Sequence, residues 1–254
     1  LEGLSDEELS DVLAQFETDV ISAMTPGEES DVVWTLDEDG VLTLSGSGAF
    51  EEDLDDDVRQ QIVRVVCGPE IESIATGQFS LAYSLAAYEV DPENPYYASL
   101  DGVLYDKSLT EVIACPCAKT GSLILPDSVL SIGETAFYVS HLTDLTLPEG
   151  VTSIRAYAFG YSETGTYYLP TSLVEIAIGA FYDVDPNMTV CYAGTMEEWA
   201  NLLAETEGSG LENCIMVICS DGTIAETESG EGDEFTWTLT GNRLTVEGTM
   251  FNGY

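Results

Sequence analysis

The chain has 254 residues, with 47 Asp or Glu against 6 Lys or Arg and a single His, for a formal charge of −41. A surface so poor in cations cannot displace counterions from a phosphate backbone or dock on anionic lipid, which excludes nucleic acid as a partner. With 44% hydrophobic residues and 3 Trp, 13 Tyr and 8 Phe, the chain is also too apolar to be wholly disordered.

No run of about 18 apolar residues occurs, so direct membrane insertion is not expected. A chain beginning at Leu1 reads as a mature or trimmed segment, and the missing leader says nothing about compartment. Six cysteines, with only Cys115 and Cys117 closely spaced, are too few for a disulfide scaffold. Their spacing fits neither a redox loop nor a zinc knuckle, so buried small side chains are expected.

Ser5 and Glu8 form a capping box, and Leu9, Val12, Leu13, Phe16, Val20, Ile21 and Met24 follow at helical spacing. A helix is therefore predicted up to the stop at Pro26-Gly27, its apolar stripe packed on the body as a cap or left over from a preceding domain. Trp34-Thr35-Leu36, a turn at 37–40 and Val41-Leu42-Thr43-Leu44 alternate as a β-hairpin. The same phrase returns as Trp237-Thr238-Leu239, a turn at Gly241-Asn242 and Leu244-Thr245-Val246, an internal repeat. The run from Glu51 to Asp57 lacks the glycine and terminal glutamate of a calcium loop and reads as a solvated acidic segment.

Between the hairpins lies a short tandem repeat. Leu125-Pro126, Leu147-Pro148 and Leu169-Pro170 are 22 residues apart, and each proline is followed by an isoleucine (Ile132, Ile154, Ile176) and an Ala-Phe pair (136–137, 158–159, 180–181). A fixed period of this size means a solenoid whose coils bury their apolar residues by stacking. Leu145-Thr146-Leu147 alternates as a strand, which the proline ends because it has no N–H to donate. Residues 91–121 interrupt the period. Val103-Leu104-Tyr105 and Glu111-Val112-Ile113-Ala114 within them read as a hairpin projecting from the solenoid. Thr195 and Glu198 open a helix over 195–205 whose buried face is Trp199, Leu202 and Leu203, expected to close the solenoid end. Residues 206–210 and 221–234 read as acidic linkers.

The phrases Leu125-Pro126-Asp127-Ser128-Val129 to Ala136-Phe137, Leu142-Thr143 to Ala158-Phe159, Asn94-Pro95-Tyr96-Tyr97 with Asp101-Gly102-Val103-Leu104-Tyr105, and Tyr192-Ala193-Gly194-Thr195 to Trp199 resemble the BspA-like leucine-rich repeat family over about residues 60–220. The resemblance implies a strand-rich α/β fold, a right-handed leucine-rich repeat solenoid of about 22-residue coils. It also implies a secreted or surface-anchored bacterial protein associated with adhesion. Departures from the family pattern fall at Ser140-His141 and in the irregular coil 161–166. The domain expectation is an N-terminal helix and hairpin cap at 1–57, the solenoid at 58–220, and a linker with the start of a second hairpin module at 221–254.

No cofactor or metal site is predicted. Any nucleophilic constellation would have to use His141, which is better read as a solvated turn residue. Carboxylate pairs are too common here for any one to mark a glycosidase. Trp34 and Trp237 are expected to pack rather than form a sugar platform. Solenoids usually bind on the strand-lined face. Two residues before each Leu-Pro proline stand Ile124, Thr146 and Tyr168, with Glu89 expected beside them in the previous coil; four before stand Ser122, Asp144 and Thr166. Glu89, Ile124, Asp144, Thr146, Thr166 and Tyr168 are the candidate binding residues. The expected function is a non-catalytic binding or adhesion module, monomeric, for a host or matrix protein, peptide or glycan, outside the cell or on its surface. A glycan hydrolase domain and a structural spacer are the alternatives.

Overall fold

The computed structural model describes residues 21–23, 31–185, 187–214, 216–225, 227–231, 235–240 and 243–248. Strands β1 (Ile21–Ala23), β2 (Val33–Leu36) and β3 (Val41–Ser45) form an antiparallel meander in which Trp34 lies opposite both Ala23 and Leu44. The predicted first helix lies outside the described residues except at its end, and there Ile21–Ala23 is strand instead.

Five elements follow: β4 (Gly48–Phe50), α1 (Asp56–Gln61), and the strands β5 (Arg64–Cys67), β6 (Ile71–Ile74) and β7 (Ala87–Val90). Helix α1 takes up part of the acidic run, with Asp56 paired to Arg59 at 2.7 Å. Strands β3, β5 and β7 pair in parallel, aligning Leu42 with Val65 and Val65 with Tyr88. Stacking of coils therefore begins at the first hairpin, ahead of the Leu-Pro repeats.

Strands β8 (Tyr97–Leu100), β9 (Val103–Asp106) and β10 (Glu111–Ala114) form an antiparallel unit inside residues 91–121. This unit does not project. Val103, Leu104 and Tyr105 are all buried, Leu104 in a core running from Trp34 to Tyr88 and its two neighbours in a second core that reaches Cys219. Successive strand residues face opposite sides, so a strand apolar at every position is stable only when both faces are covered. Asn94 clamps the unit in place. Its side-chain amide donates to the Gly68 and Ile71 carbonyls at 2.8 and 3.0 Å, and its oxygen accepts from the Tyr96 and Tyr97 N–H groups at 2.8 Å each.

Beyond the insertion the coils have two walls. One is the parallel run of β11 (Thr120–Ile124), β13 (His141–Thr146), β15 (Thr166–Leu169), β17 (Thr189–Tyr192) and β18 (Met216–Cys219). The other consists of the short strands β12 (Ser131–Ile132), β14 (Ser153–Ile154) and β16 (Glu175–Ile176), stacked on β10. Leu123, Leu145, Tyr167 and Val190 are successive partners on the first wall, and Ile132, Ile154 and Ile176 on the second. Between the walls the rings of the Ala-Phe pairs stack, with centroids 5.4 Å apart from Phe137 to Phe159 and 4.7 Å from Phe159 to Phe181.

The two departures from the family pattern meet in one buried network. Tyr167 stands where the neighbouring coils carry Leu or Val, and its hydroxyl donates to Ser162 Oγ at 2.9 Å. Ser162 is linked to Ser140 at 2.8 Å and to Thr164 at 2.9 Å. A buried phenol needs such partners, and Ser140 and the irregular coil supply them.

Helix α2 (Met196–Glu205) begins at the predicted capping box. Thr195 Oγ1 accepts from the Glu198 N–H at 3.2 Å, and Glu198 Oε2 accepts from the Thr195 N–H at 2.7 Å. The Thr195 N–H, and then the Thr195 hydroxyl at 3.0 Å, donate to the Glu198 carboxylate, favour its charged form and lower its pKa. Trp199 and Leu202 are buried, with Leu203 partly so. The helix does not close the sheet, because β18 adds a further parallel strand after it and β19 (Gly222–Ala225) folds back antiparallel on β18. Residues 206–210 are part of the stack rather than a linker. Ser209 is fully buried, and the carbonyls of Gly208 and Ser209 accept from the Gly179 and Phe181 N–H groups. The expected linker 221–234 likewise contains β19 and β20 (Thr227–Glu231), the latter pairing with β21 (Phe235–Thr240), which pairs with β22 (Arg243–Gly248). The internal repeat is thus a three-strand meander at each end of the chain.

Candidate functional site

The outer face of the parallel wall is built by alternation. Leu123, Leu145, Tyr167 and Val190 point into the core, so the residues between them point out. Ile124, Thr146 and Tyr168 are direct cross-strand partners and form one row, which continues through Cys191 to Ile218. Ser122, Asp144, Thr166, Thr189 and Met216 form the row beside it, and Ser122 Oγ donates to Asp144 Oδ2 at 2.7 Å.

Five of the six residues expected on this face are therefore together. Glu89 is not. It lies on β7, and the insertion separates that sheet from β11: the β7 backbone bonds instead to Gly102 and to the Ser99 hydroxyl. Glu89 pairs with Arg64 at 3.2 Å across a surface where such a pair contributes little.

The first row is unusually apolar for solvated strand positions. Ile124 is 74% exposed, and Tyr168 and Ile218 are exposed too. Around Thr146, Tyr168, Cys191 and Ile218 the surface dips into a shallow groove of about 350 Å³, edged by Glu149 and Ser220. Counting back from the Leu-Pro phrases could not find Cys191 or Ile218, because no Leu-Pro follows either residue and α2 intervenes before β18. Burial and the nearby Asp144 carboxylate raise the pKa of the Cys191 thiol.

His141 opens β13, half exposed, with Nδ1 3.1 Å from Glu163 Oε2. Its partner is thus a surface carboxylate, with no nucleophile in the pair. Trp34 is buried in the N-terminal core, which removes it as a sugar platform, and its indole N–H has no partner among the described residues. The side chain of Trp237 lies outside what is described. Cys67, Cys115, Cys117 and Cys219 are buried and free, while Cys191 and Cys214 are partly exposed. Among the described residues no group of three or more His, Cys, Asp or Glu side chains converges to hold a metal, and no helix is long and apolar enough to cross a membrane.

A second exposed feature has no counterpart in the motif search. Where the coils turn toward β13, β15 and β17, the edge carries Tyr138, Tyr157, Tyr161 and Tyr182, with Leu81 and Tyr83 from the coil before. The sequence signal was a tyrosine directly after the Ala-Phe pair at 138 and 182. Outside the buried positions of the period, it was passed over.

Short parallel strands stacked in register, with isoleucine and phenylalanine ladders behind them, define a leucine-rich repeat protein. Residues 109–198 match the BspA type leucine rich repeat region in six copies. Among solved structures, the pneumococcal vaccine antigen PcpA is similar at 24% identity, covering 53% of this chain and 40% of that one with a TM-score of 0.47. A leucine-rich repeat protein of Eubacterium ventriosum is similar at 17% identity, covering 68% and 72% with a TM-score of 0.43. A leucine-rich repeat protein of T. pallidum is similar at 17% identity, covering 66% and 71% with a TM-score of 0.29. At these scores the family match, rather than any one neighbour, carries the assignment. The chain spans less than half the length of the pneumococcal antigen. No curated protein matches it.

Proposed function

We propose that the chain is a non-catalytic binding or adhesion module of a bacterial secreted or cell-surface protein. In this reading the coils wind as a right-handed solenoid of about 22 residues per turn, the terminal meanders act as caps, and the outer face of the parallel wall takes a protein, peptide or glycan. The observation that carries the reading is the row Ile124, Thr146, Tyr168, Cys191 and Ile218, in which Ile124, Tyr168 and Ile218 are exposed, held by a continuous backbone ladder. Isolated exposed apolar residues are ordinary, whereas an aligned row leading into a groove is the geometry of a recognition strip. Five rungs at about 4.8 Å give a strip about 20 Å long, the size of a peptide or short oligosaccharide.

The test is saturable binding to panels of matrix proteins and glycans at physiological salt. A variant carrying Ile124→Asp and Tyr168→Ala, both at exposed positions, should bind its best ligand at least about tenfold more weakly. Absence of saturable binding, or equal binding by the variant, refutes the reading.

A further inference from the structure

The tyrosine edge is a contiguous aromatic surface. Ring centroids lie 5.4 Å apart for Tyr138 and Tyr161, 5.5 Å for Tyr161 and Tyr182, and 5.7 Å for Tyr157 and Tyr182, all edge to face. Tyr157, Tyr161 and Tyr182 are exposed, and Tyr83 across the cleft is 52% exposed. The cleft between Tyr83 and the rings of Tyr138 and Tyr161 has a volume of about 720 Å³, and Tyr182 packs edge to face on Tyr161.

The rings are held there at a backbone cost. Tyr157 and Tyr161 have φ of +53° and +54°, the left-handed region in which a side chain costs about 1–2 kcal/mol. Of the positions equivalent to Tyr157, 77 and 179 are glycines with φ of +72° and +71° and 135 is a threonine with φ of +56°, while Val139 and Asp183 share the left-handed conformation of Tyr161. Glycines also leave room for the rings: a Cβ on Gly160 would meet the Tyr138 ring at 3.0 Å, and one on Gly179 the Tyr157 ring at 3.4 Å. Backbone bonds from Tyr161 to Tyr182 and from Val139 to Gly160 tie the turns together coil by coil. The left-handed turns recur from coil to coil, so the tyrosines are presented on a fixed backbone frame that each coil repeats, which limits the ordering cost of binding there.

Glu163, Asp183 and Asp185 line the cleft and no Lys or Arg does, while Arg59, paired with Asp56, borders the adjoining groove at Tyr138 and Tyr157. His141, on Glu163, is the neighbouring titratable base. Partial desolvation, and then the neighbouring phenols, raise the pKa of Tyr138 and Tyr161 above the ordinary phenol value.

We propose that this cleft binds a lysine- or arginine-bearing extended segment of a partner protein, with ammonium or guanidinium groups over the tyrosine faces and the three carboxylates around them. The site is separate from the strand face and does not depend on it. Crossing about three coil spacings, or about 15 Å, it accommodates about four or five extended residues.

The probe is a fluorescein-labelled peptide of alternating Lys and Gly, titrated by anisotropy at physiological salt, with an alternating Glu-Gly peptide and a neutral oligosaccharide as competitors. A variant with Tyr161→Leu and Tyr182→Leu leaves the charge unchanged and should weaken Lys-Gly binding at least about tenfold. Glu163→Gln with Asp183→Asn should do the same, while Glu70→Gln with Asp127→Asn, an equal charge change at exposed positions in the turns that follow β5 and β11, should alter it less than about twofold. An unchanged urea midpoint shows that each variant is folded. A tyrosine variant that binds as wild type, or equal losses from both acidic variants, overturns the proposal as mere attraction to a −41 chain. Displacement by the neutral oligosaccharide overturns it in favour of a sugar platform. Loss of binding on Ile124→Asp with the edge intact would place the peptide on the strand face instead.

Discussion

Phe159→Ala is the sharpest test of the stacking on which the repeat region depends. The ring is fully buried and meets three others: Phe137 at 5.4 Å, Phe181 at 4.7 Å and Tyr167 at 5.1 Å. Removing a buried ring costs about 3 kcal/mol in transfer free energy. Three ring contacts of about 0.5–1.5 kcal/mol each add to this, and overlap between the two accounts brings the total to about 4–5 kcal/mol. Phe181 has two such contacts and Phe137 one, so the expected order of loss is Phe159→Ala, then Phe181→Ala, then Phe137→Ala, the last about 3 kcal/mol. Urea unfolding followed by far-ultraviolet circular dichroism and tryptophan fluorescence reads the order from midpoint shifts at a common slope. Trp199 reports on the core that contains Phe159, and Trp34 on the other core. A Phe159→Ala loss below about 2 kcal/mol, or one no larger than that of Phe137→Ala, refutes the claim that coil stability is a nearest-neighbour property of this ring stack.

Asn94→Ala should cost about 2–3 kcal/mol in the same assay, because it strands two buried carbonyls and two N–H groups that the amide now satisfies; a loss under 1 kcal/mol would mean the clamp is dispensable. Alkylation of the native protein at pH 8, mapped by mass spectrometry, should reach Cys191 first, since burial raises the thiols of Cys67 to about 12 and Cys117 to about 11 and leaves them without thiolate. Cys67 or Cys115 reacting as fast as Cys191 would contradict that ordering.

The 22-residue register was legible because each coil must present the same buried residues to its neighbours, and Leu-Pro, Ile and Ala-Phe recur accordingly. The same counting placed Ile124, Thr146 and Tyr168 in one row and Asp144 and Thr166 in the next, since direct partners in a parallel ladder inherit the period. It misplaced Glu89 because the spacing says nothing about what an insertion does. Three consecutive apolar residues at 103–105 were the available signal that both faces of that strand are covered.

What the sequence by itself determined is therefore the repeat, the strand alternation and the capping of α2, all of which rest on local pattern. Only the tertiary structure decided that the insertion is a buried wall between two cores, that the supposed linkers carry strands, and that Ser140, Ser162, Thr164 and Tyr167 satisfy one another. It also decided that tyrosines from separate turns meet on one edge. Each of those depends on which residues distant in the chain become neighbours, and period and propensity do not encode that where the register is broken.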